Sequence, residues 1–177
     1  MNSDGERKDE VDARKNCMPG AISLRTGAPF SMCMCASDLR GTLLKQMPNT
    51  ILRDLAWSFS RDTPESIAEW EEALSAYGED IGMPVDREKL WLVLPVRALD
   101  VQYTYWVVGN NNEWQPKSRV VSVRASRLLS CSEILFEVHK ASHAELEDQD
   151  HRFFEGLELL DEVFEEGVPA YKMLLGS

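Results

Sequence analysis

Ile67, Trp70, Leu74 and Tyr77 recur at helical spacing, and Glu65, Glu69, Glu71 and Glu72 fall between them on the other side. A stripe of that period buries one face of a helix and leaves the rest in water. Thr63 is a good N-cap, Pro64 suits the first turn, and Gly78 reads as the stop. Upstream, Leu39, Leu43, Leu44 and Met47 predict a helix capped by Ser37 or Asp38 and ended by Pro48. Ile51, Leu52, Leu55 and Phe59 predict a second one, capped by Asn49 or Thr50.

The period changes in the middle of the chain. Leu90 to Val96 is a short continuous apolar run, the pattern of a buried or edge strand. Gln102 to Val108 is rich in aromatic and β-branched residues, and Arg119 to Arg124 alternates. Gly109, Asn110, Asn111 and Asn112 lie between them and supply turn residues, so the two runs predict a hairpin in an antiparallel sheet of three or more strands.

Helical signals then return. Ser130 followed three residues later by Glu133 is a capping-box pattern, and Ile134, Leu135, Val138, Ala141 and Leu146 share one face beyond it. A last amphipathic helix is expected from about Asp150 to Glu166, with Phe153, Phe154, Leu157, Leu160, Val163 and Phe164 inward. Gly167 and Pro169 end it. The elements add up to an α+β fold: N-terminal helices, a central antiparallel sheet, and two C-terminal amphipathic helices packed on it. Residues 1–36 mix charges, Gly, Pro and Ser without periodicity and read as a flexible tail. Residues 37–177 read as one globular domain, the size that a chain of 177 residues allows.

Charge sharpens this picture. Between Glu133 and Glu166 there are 12 acidic and two basic residues, a net of −10 against −11 for the whole chain. An acidic surface repels nucleic acid and anionic membranes and attracts a basic protein. No apolar run reaches the roughly 20 residues a membrane helix needs. The charged opening Met1–Glu10 lacks the basic leader and apolar stretch of a signal peptide. The expected compartment is the cytoplasm, with Cys17, Cys33, Cys35 and Cys131 as free thiols.

Candidate chemistry is sparse. His139 and His143 are four residues apart on one helix side, and Asp150 falls near the same line if that helix continues. Two imidazoles and a carboxylate can hold zinc or iron, although the spacing is not His-Glu-x-x-His. Asp148 and Asp150 flank one residue and read as a solvated loop or cap rather than a magnesium site. Cys131, at a helix start where the dipole favours a thiolate, could act as a nucleophile but reads first as a small packed residue. Cys33 and Cys35 interleave with Met32 and Met34, soft ligands without a second pair. No nucleophile elbow and no phosphate-binding glycine loop is present.

The expectation is a binding protein without a cofactor and more a binder than an enzyme, whose outer acidic face meets a basic partner. That face comprises Glu155, Glu158, Asp161, Glu162, Glu165 and Glu166, with Trp114 on the hairpin as a further contact. In size and charge the chain is similar to the small acidic immunity proteins that bacteria make against their own toxins. That likeness implies a basic, nuclease-type toxin as partner, and the acidic charge argues against binding of nucleic acid or membrane. The alternatives are a small metal-dependent enzyme using His139, His143 and Asp150, and a scaffold module without catalysis.

Overall fold

The computed structural model describes residues 46–161 and 164–177. The expected tail over residues 1–36 and most of the first expected helix lie outside them. Within them the fold is α+β, with helices flanking a six-stranded mixed sheet. The strands are β1 (Thr50–Ile51), β2 (Trp57–Ser58), β3 (Ala98–Val108), β4 (Trp114–Arg124), β5 (Phe153–Leu159) and β6 (Ala170–Gly176). The helices are α1 (Ile67–Asp80), the single turn α2 (Arg87–Leu90) and α3 (Cys131–Leu146). Strand order is β1-β5-β6-β3-β4, and β2 pairs with β5 on the same edge as β1. All neighbours are antiparallel except β3 and β6, which run parallel over Asp100–Gln102.

The N-terminal helix on Trp70 forms, with different ends. Its cap is Ser66, whose side chain accepts from the Glu69 amide, and it continues to Asp80. Gly78 does not stop it. A Cβ there would lie 2.6 Å from the Met83 carbonyl oxygen, so glycine lets the returning chain pack against the helix. Trp70, Leu74 and Tyr77 are buried as their spacing requires.

Two expected helices do not form. The segment from Asn49 to Phe59 makes β1 and β2 instead. Leu55, Trp57 and Phe59 also alternate, and all three enter the core at that period. Leu52, with φ 58, turns the chain between the strands. The stretch from Asp150 to Glu166 becomes β5 and a connection to β6. Gly156 sits inside it at φ 131, with Arg53 Cα 2.9 Å from where a Cβ would stand. Glycine is costly in a helix but fits the bulge between Phe154 and Gly156, where β5 bends against the β1–β2 crossing. Pairing with β6 then outweighs the helical spacing of the phenylalanines and leucines, so one C-terminal helix is present rather than two.

The hairpin and the capping box follow expectation. β3 and β4 pair without a break from Ala98↔Arg124 to Val108↔Trp114. Asn112, at φ 64, takes the left-handed position in the connection. Ser130 and Glu133 cap α3 reciprocally. The run Leu90–Val96 is not a strand. Leu90 closes α2, only Val93 makes an isolated bridge (to Ser130), and Leu94 and Val96 are buried while Trp91, Leu92 and Val93 are exposed.

One apolar core joins the sheet to α1 and α3. Leu99, Val101 and Tyr103 of β3, Val121 and Val123 of β4, Tyr171 and Met173 of β6, and Leu157 of β5 meet Trp70, Leu74, Ile134, Leu135 and Val138 there. The alternate residues of β3 and β4 point to the opposite face. Near the proximal end of the hairpin that face is polar: Asp100 is buried beneath Arg124 at 3.1 Å and accepts from Ser122 Oγ at 2.8 Å.

Candidate functional site

The strands of the hairpin are each 11 residues long, longer than the core can cover. Helix α3 ends at Leu146, and the distal half of the hairpin projects past it. Trp106 pairs with Pro116, and Trp114 with Val108, so both indoles lie diagonally on one sheet face. They are 40% and 64% exposed. The loop after α3 turns toward them, and Trp106, Trp114, Asp148, Gln149, Asp150 and His151 together line an open groove of about 380 Å³.

Gln149 holds that loop in place. Its Oε1 accepts from the Trp106 amide at 2.9 Å, and its Nε2 donates to the Trp106 carbonyl at 3.1 Å. One side-chain amide thus makes the two bonds that a neighbouring strand would make. Asp148 and Asp150, on either side of it, have no hydrogen-bond or ion-pair partner among the described residues. Two aromatic faces beside two unpaired carboxylates suit a cation, which gains from both the ring quadrupole and the charge.

The acidic residues expected on one helix face are distributed differently. Glu155 and Glu158 are exposed on β5, and Asp161, Glu165 and Glu166 are exposed in the connection to β6. Glu162 lies outside the described residues. Glu165 pairs with Arg124 at 2.8 Å. Elsewhere in the acidic segment, Glu133 pairs with Arg127, Glu137 with Lys140 and Glu145 with Arg119. Asp148, Asp150, Glu155, Glu158, Asp161 and Glu166 remain without such a partner among the described residues.

His139 and His143 do lie side by side on α3, with ring centroids 5.3 Å apart. Both face β2 and the residue after it. His139 Nδ1 accepts from Trp57 Nε1 at 3.2 Å, and His143 Nδ1 is 2.8 Å from the Phe59 carbonyl oxygen, to which its N–H donates. Asp150 does not join them, because α3 ends before it. Among the described residues no group of three or more His, Cys, Asp or Glu is placed to hold a metal ion. His139 is fully buried between Trp57, Phe59 and Trp70, and burial, with His143 beside it, depresses its pKa to about 4. Cys131 is buried too, and burial pushes its thiol up to about 12, so the helix start does not yield a thiolate.

A second groove, of about 480 Å³, runs between α1 and α2 past Glu71, Glu72, Glu79 and Trp91. Its central carboxylate is already engaged: Glu71 Oε1 accepts from Ser132 Oγ at 2.7 Å and from Trp91 Nε1 at 3.3 Å. The hairpin-end groove is the better candidate because two exposed indoles, Trp106 and Trp114, stand beside its unengaged acids, whereas the one indole of the second groove donates to Glu71.

Sequence reasoning named Trp114 and Asp150 separately and missed Trp106, Gln149 and His151 as neighbours of theirs. The turn residues alone misplace the pair: a loop of Gly109–Asn112 would pair Val108 with Glu113 and put positions 106 and 114 on opposite faces. The loop in fact includes Glu113, so Val108 pairs with Trp114 and both indoles share one face. Nothing in the sequence placed the loop after α3 against that face.

No family model, curated protein or solved structure matches the chain. No helix among the described residues is long and apolar enough to cross a membrane.

Proposed function

We propose that this chain is an acidic binding protein that engages a basic protein partner, in the manner of a cytoplasmic immunity protein covering a nuclease-type toxin. The observation that supports it is the hairpin-end groove, where exposed Trp106 and Trp114 meet the unengaged Asp148 and Asp150. Tryptophans of this kind act as anchors in interfaces, and acidic groups around them speed encounter with a basic surface. The exposed Glu155, Glu158, Asp161 and Glu166 extend the same sign of charge along β5 and the chain that follows it. Toxins that act on nucleic acid carry basic sites to hold phosphates, and an acidic surface of this kind competes for them. The metal-dependent alternative has less behind it, since Asp150 does not join the two imidazoles and no group of three or more His, Cys, Asp or Glu is placed to hold an ion among the described residues.

The test has two stages. Crosslinking in the native host, followed by mass spectrometry, identifies what the chain contacts; a protein of basic isoelectric point is expected. Association of the purified partner is then timed over a salt series, for the natural chain and for a variant with Glu155, Glu158, Asp161 and Glu166 changed to Lys. The variant should associate about tenfold more slowly, and the natural rate should fall as salt rises. Equal rates without salt dependence overturn the proposal.

A further inference from the structure

The open edge of β3 adds a feature that the groove alone does not explain. Pairing with β6 ends at Gln102. Strand alternation puts the N–H and C=O groups of even-numbered residues on that side: the Asp100 amide donates there to the Pro169 carbonyl, and the Trp106 amide to Gln149. Thr104, Trp106 and Val108 therefore present a strand edge, and among the described residues only the Gln149 side chain stands in register against it. Exposed edges template the addition of another strand, and natural sheets block them with charges, bulges or covering loops. Gln149 is such a cover, but a small one: it contributes one amide where a strand would contribute a ladder. A device that served only to block the edge would not need two exposed tryptophans and two unengaged carboxylates around it.

We infer that an extended basic segment of the partner adds as a strand to β3 along Thr104–Val108, displaces the Gln149 amide, and seats an arginine side chain between Trp106 and Trp114, facing Asp148 and Asp150. This rests on the binding-protein reading above. Main-chain bonds align the segment, and side chains of alternate residues read the groove. Charge selects the occupant, because the groove offers carboxylates and aromatic faces to a cation and no basic side chain apart from His151. Gln149 keeps the edge from pairing indiscriminately and leaves only when the incoming strand replaces both of its bonds.

The probe is a capped hexapeptide of alternating Arg and Val, with the Glu-Val peptide as control. Binding is followed by tryptophan fluorescence and by amide hydrogen exchange of the full chain. The Arg-Val peptide should bind, exchange at the Thr104 and Val108 amides should slow about tenfold or more, and the control should do neither. Trp114→Ala should weaken binding about tenfold, the usual scale for an interface anchor. Gln149→Ala gives the distinguishing result: removing the cover should tighten binding several-fold, whereas a merely structural glutamine would leave it unchanged or weakened. Failure to bind, binding without protection of those amides, or unchanged or weaker binding by Gln149→Ala overturns the inference. Concentration-dependent self-association that protects the same amides without peptide assigns the edge to a second copy and also overturns it. The outcome is separable from the function proposed above. A partner that depends on Glu155, Glu158, Asp161 and Glu166 but is indifferent to Gln149 and Trp114 leaves the acidic binding protein standing without the added strand.

Discussion

Trp57 and Trp70 stand at one end of a contrast, Trp106 and Trp114 at the other. The first two are 1% and 0% exposed, with ring centroids 4.5 Å apart in an edge-on arrangement. The second two lie on the uncovered end of the hairpin. Each pair has titratable neighbours. Inside, these are His139 and His143, and burial holds His139 neutral. Outside, Asp148 and Asp150 keep their access to water. The same residue types thus do opposite work. Where the indole is sealed, its area contributes to folding and its polar neighbour must give up charge. Where it is open, the area is available to a partner and the neighbouring charge can attract one.

The largest effect expected from this contrast is at the sealed end. Trp70→Ala removes a fully buried indole that packs on Trp57, Phe136 and His139. The cost should be about 3–5 kcal/mol, read from denaturant unfolding with an unchanged slope. A change below about 1 kcal/mol would mean that the site refills or is not sealed, and the contrast would lose its inner half.

His139 sharpens the same side with a sign. Its folded pKa, about 4, is depressed below its ordinary 6.5. Between those values the unfolded chain binds the proton and the folded one does not, so stability falls as pH falls. The contribution is fully present above about pH 6.5. At about 1.4 kcal/mol per pKa unit, roughly 2 kcal/mol should be lost by pH 5 and about 3 by pH 4. Urea unfolding at pH 7, 6 and 5 measures it. His139→Gln, which keeps an acceptor for Trp57 Nε1 without the imidazole, should flatten that slope even if it lowers stability throughout. A slope unchanged by the substitution would assign the acid sensitivity to other groups.

How far the two ends were legible in the sequence follows from how local their causes are. The capping box of α3 is settled by residues three apart, and the hairpin by one turn flanked by two strands. Trp70 declares its burial through Ile67 and Leu74 within one helix. By contrast, β5 depends on β6, and Phe153 to Leu159 carries a helical spacing until a distant strand pairs with it. Gly156 was the available clue, since a glycine amid that apolar run argues against a helix. The stripe of carboxylates on that expected helix dispersed with it. The groove was the least legible, because it needs Gln149 to reach Trp106 across 43 positions. No periodicity encodes that contact.

The smallest effect belongs to the open end, and its smallness is the point. Trp114→Ala should change folding stability by no more than about 0.5 kcal/mol, the range of surface substitutions away from special features. The indole is 64% exposed, its cross-strand neighbour Val108 is itself 52% exposed, and neither belongs to the core. Aromatic and β-branched partners across strands contribute a few tenths of a kcal/mol at such positions, so a slight loss is compatible with the contrast. The measurement is thermal and urea unfolding beside Trp70→Ala under one set of conditions. A cost above about 1.5 kcal/mol would show that the hairpin end packs as part of the fold. Trp114 would then belong with Trp57 and Trp70, and its exposure could no longer be taken as evidence of a partner.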